Sequence, residues 1–157
     1  MIRIALITVA AMCLAGCGQA GSAGSNPLRP AHHPARSPRP PNATIVTAAG
    51  THGLTLGSYC WSARTGTGGA TVCGDAGDPT LYPGLVVAHA AVGETIMVHL
   101  RFTPTDTVEA TIGKVRYRLA PAADLRLRVR RAGILTLDPR HGSDDVQYVA
   151  RIVTGPA

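Results

Sequence analysis

Apolar and polar residues alternate with a period of two over much of the chain, the pattern of strands that bury one face and expose the other. Ile96, Val98, Leu100 and Phe102 alternate with Met97, His99 and Arg101, and Val108, Ala110 and Ile112 alternate with Thr107, Glu109 and Thr111. Val115, Tyr117 and Leu119 alternate with Lys114, Arg116 and Arg118, then Leu125, Leu127 and Val129 with Arg126, Arg128 and Arg130. Leu54 to Ser62 reads as the first strong strand, Leu85 to Ala90 as an apolar run suited to a buried one. Two further strands are expected near Ile134 to Leu137 and Val146 to Thr154, separated by a loop from Asp138 to Ser143. No window carries a convincing helical period. The expectation is an all-β domain over residues 44–157, an antiparallel sandwich of about eight short strands.

Register can be read at one point. After Leu54 to Ser62 come the turn Thr65-Gly66-Thr67-Gly68-Gly69 and a return over Ala70 to Cys73. A hairpin centred on Gly66 and Thr67 sets Cys60 opposite Cys73, close enough for a disulfide if the pair is not hydrogen-bonded. The same register sets Trp61 across from Val72 on the other face, and this single tryptophan is expected to pack in the core or at its rim.

Charge adds a candidate site. Lys and Arg number 15 against 9 Asp and Glu, a net charge of +6. If 114–119 and 125–130 close a hairpin over Ala120-Pro121-Ala122-Ala123-Asp124, Arg118 faces Arg126 and Arg116 faces Arg128. Like charges directly opposite are unfavourable unless an anion relieves them. That anion could be a phosphate-bearing lipid, a wall polymer, an acidic envelope protein, or the chain's own Asp106, Glu109, Asp138, Asp144 and Asp145. Arg116, Arg118, Arg126, Arg128 and Arg130 are therefore the candidate anion-binding residues. A solvated charged face is the plain alternative.

The first residues set the context. Arg3 precedes an apolar run from Ile4 to Gly16, the shape of a signal peptide and shorter than the roughly 20 residues of a spanning helix. The run ends in Leu14-Ala15-Gly16-Cys17, which resembles the lipobox of bacterial lipoproteins. The resemblance implies that residues 1–16 are removed as a signal peptide. It implies that Cys17 is joined to diacylglycerol through its sulfur, and that the chain is exported and lipid-anchored on the outer face of a bacterial membrane. Residues 17–43, Gly/Ala/Ser-rich and then Pro/Arg-rich, read as a disordered linker with an end-to-end distance of roughly 30 Å. With Cys13 in the signal and Cys17 lipidated, Cys60 and Cys73 remain, most simply as one disulfide in an exported chain.

Two further resemblances concern the domain. The Val92-Gly93-Glu94-Thr95-Ile96 entry into an alternating strand, and the closing pair Ile134 to Leu137 and Tyr148 to Val153, resemble immunoglobulin-like sandwiches of exported bacterial proteins. A disulfide between Cys60 and Cys73 departs from the antibody pattern, which bridges the two sheets over a longer loop. Ser58-Tyr59-Cys60-Trp61 and Val72-Cys73-Gly74-Asp75 are similar to a pattern in small exported domains and imply no activity.

Function is less legible. No GxSxG, HExxH, P-loop or SxxK spacing is present, and no catalytic residue, metal ligand or cofactor is expected. His89 and His99 read as isolated strand histidines, and His141 with Asp138, Asp144 and Asp145 as a solvated loop cluster. Nucleic acid is not an expected partner of an exported chain whose basic stripe has only Tyr117 interleaved. The preferred expectation is a non-catalytic binding or scaffolding module tethered in the envelope. The alternative is a small exported enzyme or enzyme accessory whose site gathers dispersed His and Asp residues.

Overall fold

The computed structural model describes residues 39–65 and 68–155, so the expected signal peptide, Cys17, most of the linker and the Gly66-Thr67 turn lie outside the described residues. Its strands are β1 (Thr44–Thr47), β2 (Gly50–Gly53), β3 (Thr55–Thr65), β4 (Gly68–Gly74), β5 (Val87–His89) and β6 (Thr95–His99). There follow β7 (Val108–Ile112), β8 (Val115–Leu119), β9 (Asp124–Arg128), β10 (Gly133–Asp138), β11 (Arg140–His141) and β12 (Asp144–Val153). One sheet has the order β2-β1-β6-β9, the other β4-β3-β12-β10-β7-β8, with β5 and β11 also paired to β12. The all-β sandwich is as expected, and its extra strands are the short β1, β2 and β11. Pairing among the described residues is antiparallel except for β5, which runs parallel to the end of β12.

The alternating residues make the core. Ile96 and Val98 of β6 and Leu125 and Leu127 of β9 meet Val108, Ala110 and Ile112 of β7, Leu135 and Leu137 of β10 and Tyr148, Ala150 and Ile152 of β12. Between the buried positions of β7 and β9 the intervening side chains are exposed or half-buried. Packing begins ahead of the expected boundary at residue 44. Pro40 and Ala43 are buried, Tyr148 donates its hydroxyl hydrogen bond to the Pro41 carbonyl, and the Leu54 amide donates to the Ala43 carbonyl. Burial raises the Tyr148 phenol well above its ordinary pKa. In the Val92–Glu94 turn Gly93 takes φ +92°, and Glu94 accepts from the Ala48 amide at 2.6 Å and the Ala91 amide at 2.7 Å. One carboxylate thus ties the β1–β2 turn to the entry of β6.

The β3–β4 register is as expected, with Cys60 opposite Cys73, Trp61 opposite Val72, and a Cys60–Cys73 disulfide joining the strands. The pairing expected across 120–124 is not formed. β8 pairs with β7, setting Arg118 opposite Glu109 and Arg116 opposite Thr111. β9 pairs with β6, setting Arg126 opposite Met97 and Arg128 opposite Thr95. The segment 120–123 turns a corner from one sheet to the other, with Ala122 packed against the core and the Leu100 amide donating to the Ala123 carbonyl. The Tyr117 hydroxyl donates to the Arg128 carbonyl at 2.7 Å and fastens the corner. Burying Leu125 and Leu127 against β6 decides the matter, and the opposed arginines of the expected hairpin are avoided.

Residues 75–86 form a strap across the outer face of the larger sheet. Asp75 caps it by accepting from Ser58 and the Gly77 amide, and Tyr82 donates to the Gly77 carbonyl. At its far end the Val86 amide donates to Thr55 and the Val86 carbonyl accepts from the Arg151 amide. Val149, cross-strand from Thr55, is fully buried yet stands apart from the core cluster between the sheets, as expected of a residue roofed by this strap. The Gly77 amide and the Ser58 hydroxyl hold the Asp75 carboxyl below its ordinary value, and the Thr80 amide and hydroxyl do the same for Asp78.

Candidate functional site

The corner at 120–123 divides the five candidate arginines between two faces. On the smaller sheet, Arg126 and Arg128 point away from the core between buried Leu125, Leu127 and Val129. Arg130 continues the alternation just beyond β9, where Val129 still pairs with the β6 entry through the Glu94 carbonyl and the Gly93 amide. Alternate residues of a strand are about 7 Å apart, so the three side chains stand in single file at a regular pitch. None of them makes an ion pair among the described residues. Beside them on the same face are Met97 and Val46, both half-buried, and the exposed Thr95.

On the larger sheet, Arg116 and Arg118 are exposed on β8 and line a groove of about 630 Å³ with Glu109, Ala110, Thr111, Tyr117 and Asp138. Arg118 Nη2 lies 3.4 Å from Glu109 Oε1, so one carboxylate expected to relieve the arginines does so. With both side chains largely exposed, the pair is worth little in stability. Asp138 accepts from Gln147 Nε2 at 3.1 Å. Crowding by protein around Asp138 raises its carboxyl, outweighing the lowering by that hydrogen bond and by the positive charge of Arg140, and the negative charge of Glu109 adds to the rise.

The histidines and the remaining aspartates are scattered. His89 lies on β5, beside β12, and His99 on β6 in the other sheet. His99 Nδ1 is 2.5 Å from Asp124 Oδ1, with side chains 41% and 63% exposed, and Thr44 stands opposite His99 in register. His141 Nδ1 contacts the Thr103 carbonyl at 2.9 Å, and its ring meets Phe102 edge-on. Asp144 is buried and accepts from the Ser62 amide at 2.9 Å. The loop cluster expected around His141 therefore separates into local structural contacts. Among the described residues no group of His, Cys, Asp and Glu is arranged to hold a metal.

Sequence reasoning named the five arginines but missed the groove, because Glu109 and Asp138 meet only through the pairing of β7 with β10. Their distance in sequence gives no signal of it. No protein-family model, curated protein or solved structure matches the chain.

Proposed function

We propose that this protein is a lipid-anchored, non-catalytic binding module of the bacterial envelope that holds an anionic envelope component on the outer face of its smaller sheet. The observation that carries the reading is the single file of Arg126, Arg128 and Arg130, exposed and without an ion-pair partner among the described residues. Guanidinium groups bind phosphate and carboxylate through two parallel hydrogen bonds, and a regular row suits a partner with repeated negative charge. The Cys60–Cys73 disulfide suits an oxidising compartment outside the cytoplasm, which agrees with export through the signal that ends at Cys17. The Leu14-Ala15-Gly16-Cys17 box supports attachment by lipid at that cysteine.

A second reading, a small exported enzyme, has the His99–Asp124 pair beside Thr44 in its favour. That pair stands on an open strand face, and neither His99 nor His141 lines the grooves of the larger sheet. A water-excluding site around it would have to come from a partner.

The test uses the full-length protein against anionic vesicles and purified anionic envelope polymers over a salt series. Arg126→Glu/Arg128→Glu is expected to weaken binding by about tenfold or more per arginine and to flatten the salt dependence. Unchanged binding by that variant would overturn the assignment of the row. Separately, Cys17→Ala is expected to move the protein from the membrane fraction to the soluble one with its domain intact. Retention in the membrane would remove the lipid anchor.

A further inference from the structure

Among the described residues the two sheets end in four edges, β2 and β9 on the smaller and β4 and β8 on the larger. β8 carries Arg116 and Arg118, β9 carries Arg126 and Arg128, and β2 is four residues long with a glycine at each end. Charge and shortness are the usual means of keeping an edge from pairing with another chain. β4 has neither. It runs seven residues, Gly-Gly-Ala-Thr-Val-Cys-Gly, with no charge and no proline. It adds nothing to the core cluster, and Val72, on the same face as Trp61, is left 38% exposed.

The register with β3 divides the backbone groups of β4. Ser62, opposite Thr71, donates its amide away from β4 to Asp144 of β12, so Ser62 and Thr71 are a non-hydrogen-bonded pair. Cys60 and Cys73, two residues along each strand, have the same parity, and their Cα atoms lie 4.1 Å apart, the close spacing of such pairs. The N–H and C=O groups of Gly69, Thr71 and Cys73 therefore point out of the sheet edge. None of them has a hydrogen-bond partner among the described residues. We infer that β4 is a dimerisation edge, pairing antiparallel with β4 of a second copy of this chain about a two-fold axis. The register that engages all three outward residues sets Thr71 against Thr71 of the second copy and Gly69 against its Cys73. Each pair exchanges two hydrogen bonds, about six in all. On one face threonine meets threonine and glycine leaves room beside the disulfide. On the other Val72 meets Ala70, so the uncovered apolar side chain gains an apolar neighbour. Charge selects the occupant. A strand paired with its own copy meets every charge it carries, a condition that β4 satisfies and the arginines of β8 and β9 fail. The disulfide already holds this edge in place, so little is left to order on pairing. The assignment rests neither on the Arg126 row nor on the lipid anchor.

The test is sedimentation equilibrium of the full-length protein in density-matched detergent, with hydrogen exchange in β4 followed over the same concentrations. One strand from each copy makes a small interface, so dimers are expected to form at about 0.1–1 mM. Exchange at Gly69, Thr71 and Cys73 is expected to slow as they form, and exchange at Ala70 and Val72, whose amides face β3, to change little. Thr71→Pro removes an outward donor that β3 does not use. It is expected to weaken self-association at least about tenfold while the domain stays folded. If circular dichroism shows that variant to be unfolded, Thr71→Lys sets two like charges face to face at the axis and is expected to weaken association in its place. A protein still monomeric at about 1 mM, or a folded Thr71 variant that associates as the wild type does, would overturn the inference. So would a monomer whose outward β4 amides slow only when an unrelated extended peptide, such as a short threonine–valine repeat, is added.

Discussion

Trp61→Ala is expected to be the most damaging single substitution in the domain, lowering stability by about 3–5 kcal/mol. Trp61 is 1% exposed and heads the large, fully buried side chains. Its ring meets Phe102 edge-on at 5.3 Å between centroids, and Phe102 in turn meets His141 at 5.8 Å. Truncation leaves a cavity and also frees the stack that joins β3, the segment after β6 and the loop around β11. For a domain of this size the loss corresponds to a fall in melting temperature of about 12–20 °C. Calorimetry of wild type and variant checks it. A fall of only a few degrees would mean that the hairpin packs without its tryptophan.

Removing the disulfide comes second, and its effect should be local. The Cys60–Cys73 bridge spans 13 residues in sequence, for which the chain-entropy account gives about 3 kcal/mol. β4 has little else to hold it. From Gly68 to Cys73 every residue is exposed, Gly74 is half-buried, and β3 is the one strand it pairs with among the described residues. Cys60→Ala/Cys73→Ala is expected to lower the denaturation midpoint and to speed hydrogen exchange at β4 amides, with exchange in β6 and β9 scarcely changed. The double variant avoids leaving a reactive thiol. A midpoint that does not move would show that β3 retains β4 without the covalent link.

The contrast between hairpin and corner marks how far the sequence could be read. For β3 and β4 the turn residues and two cysteines fix the register locally, so Cys60 could be set against Cys73 before any fold was known. The strands β6, β7, β8 and β9 were equally plain from alternation, because each buries one face. Their partners were not. The segment from Ala120 to Asp124 has the composition of a hairpin turn, and nothing within it says that Leu125 and Leu127 will pack beside β6. That choice depends on burial across both sheets and on avoiding two pairs of facing arginines. The strap was legible only as a turn-rich link, since its hydrogen bonds to Ser58 and Thr55 depend on where β3 lies. The groove required β7 and β10 to be neighbours, and no short-range pattern encodes that.

The corner at 120–123 has a consequence for traffic around the molecule. By turning there instead of doubling back, the chain places Arg126 and Arg128 back to back with Arg116 and Arg118, with the whole thickness of the core between them. Two cargoes on those sides would neither compete for space nor share a charge. A change of charge on one side is also screened from the other, because that thickness is about the Debye length at physiological salt.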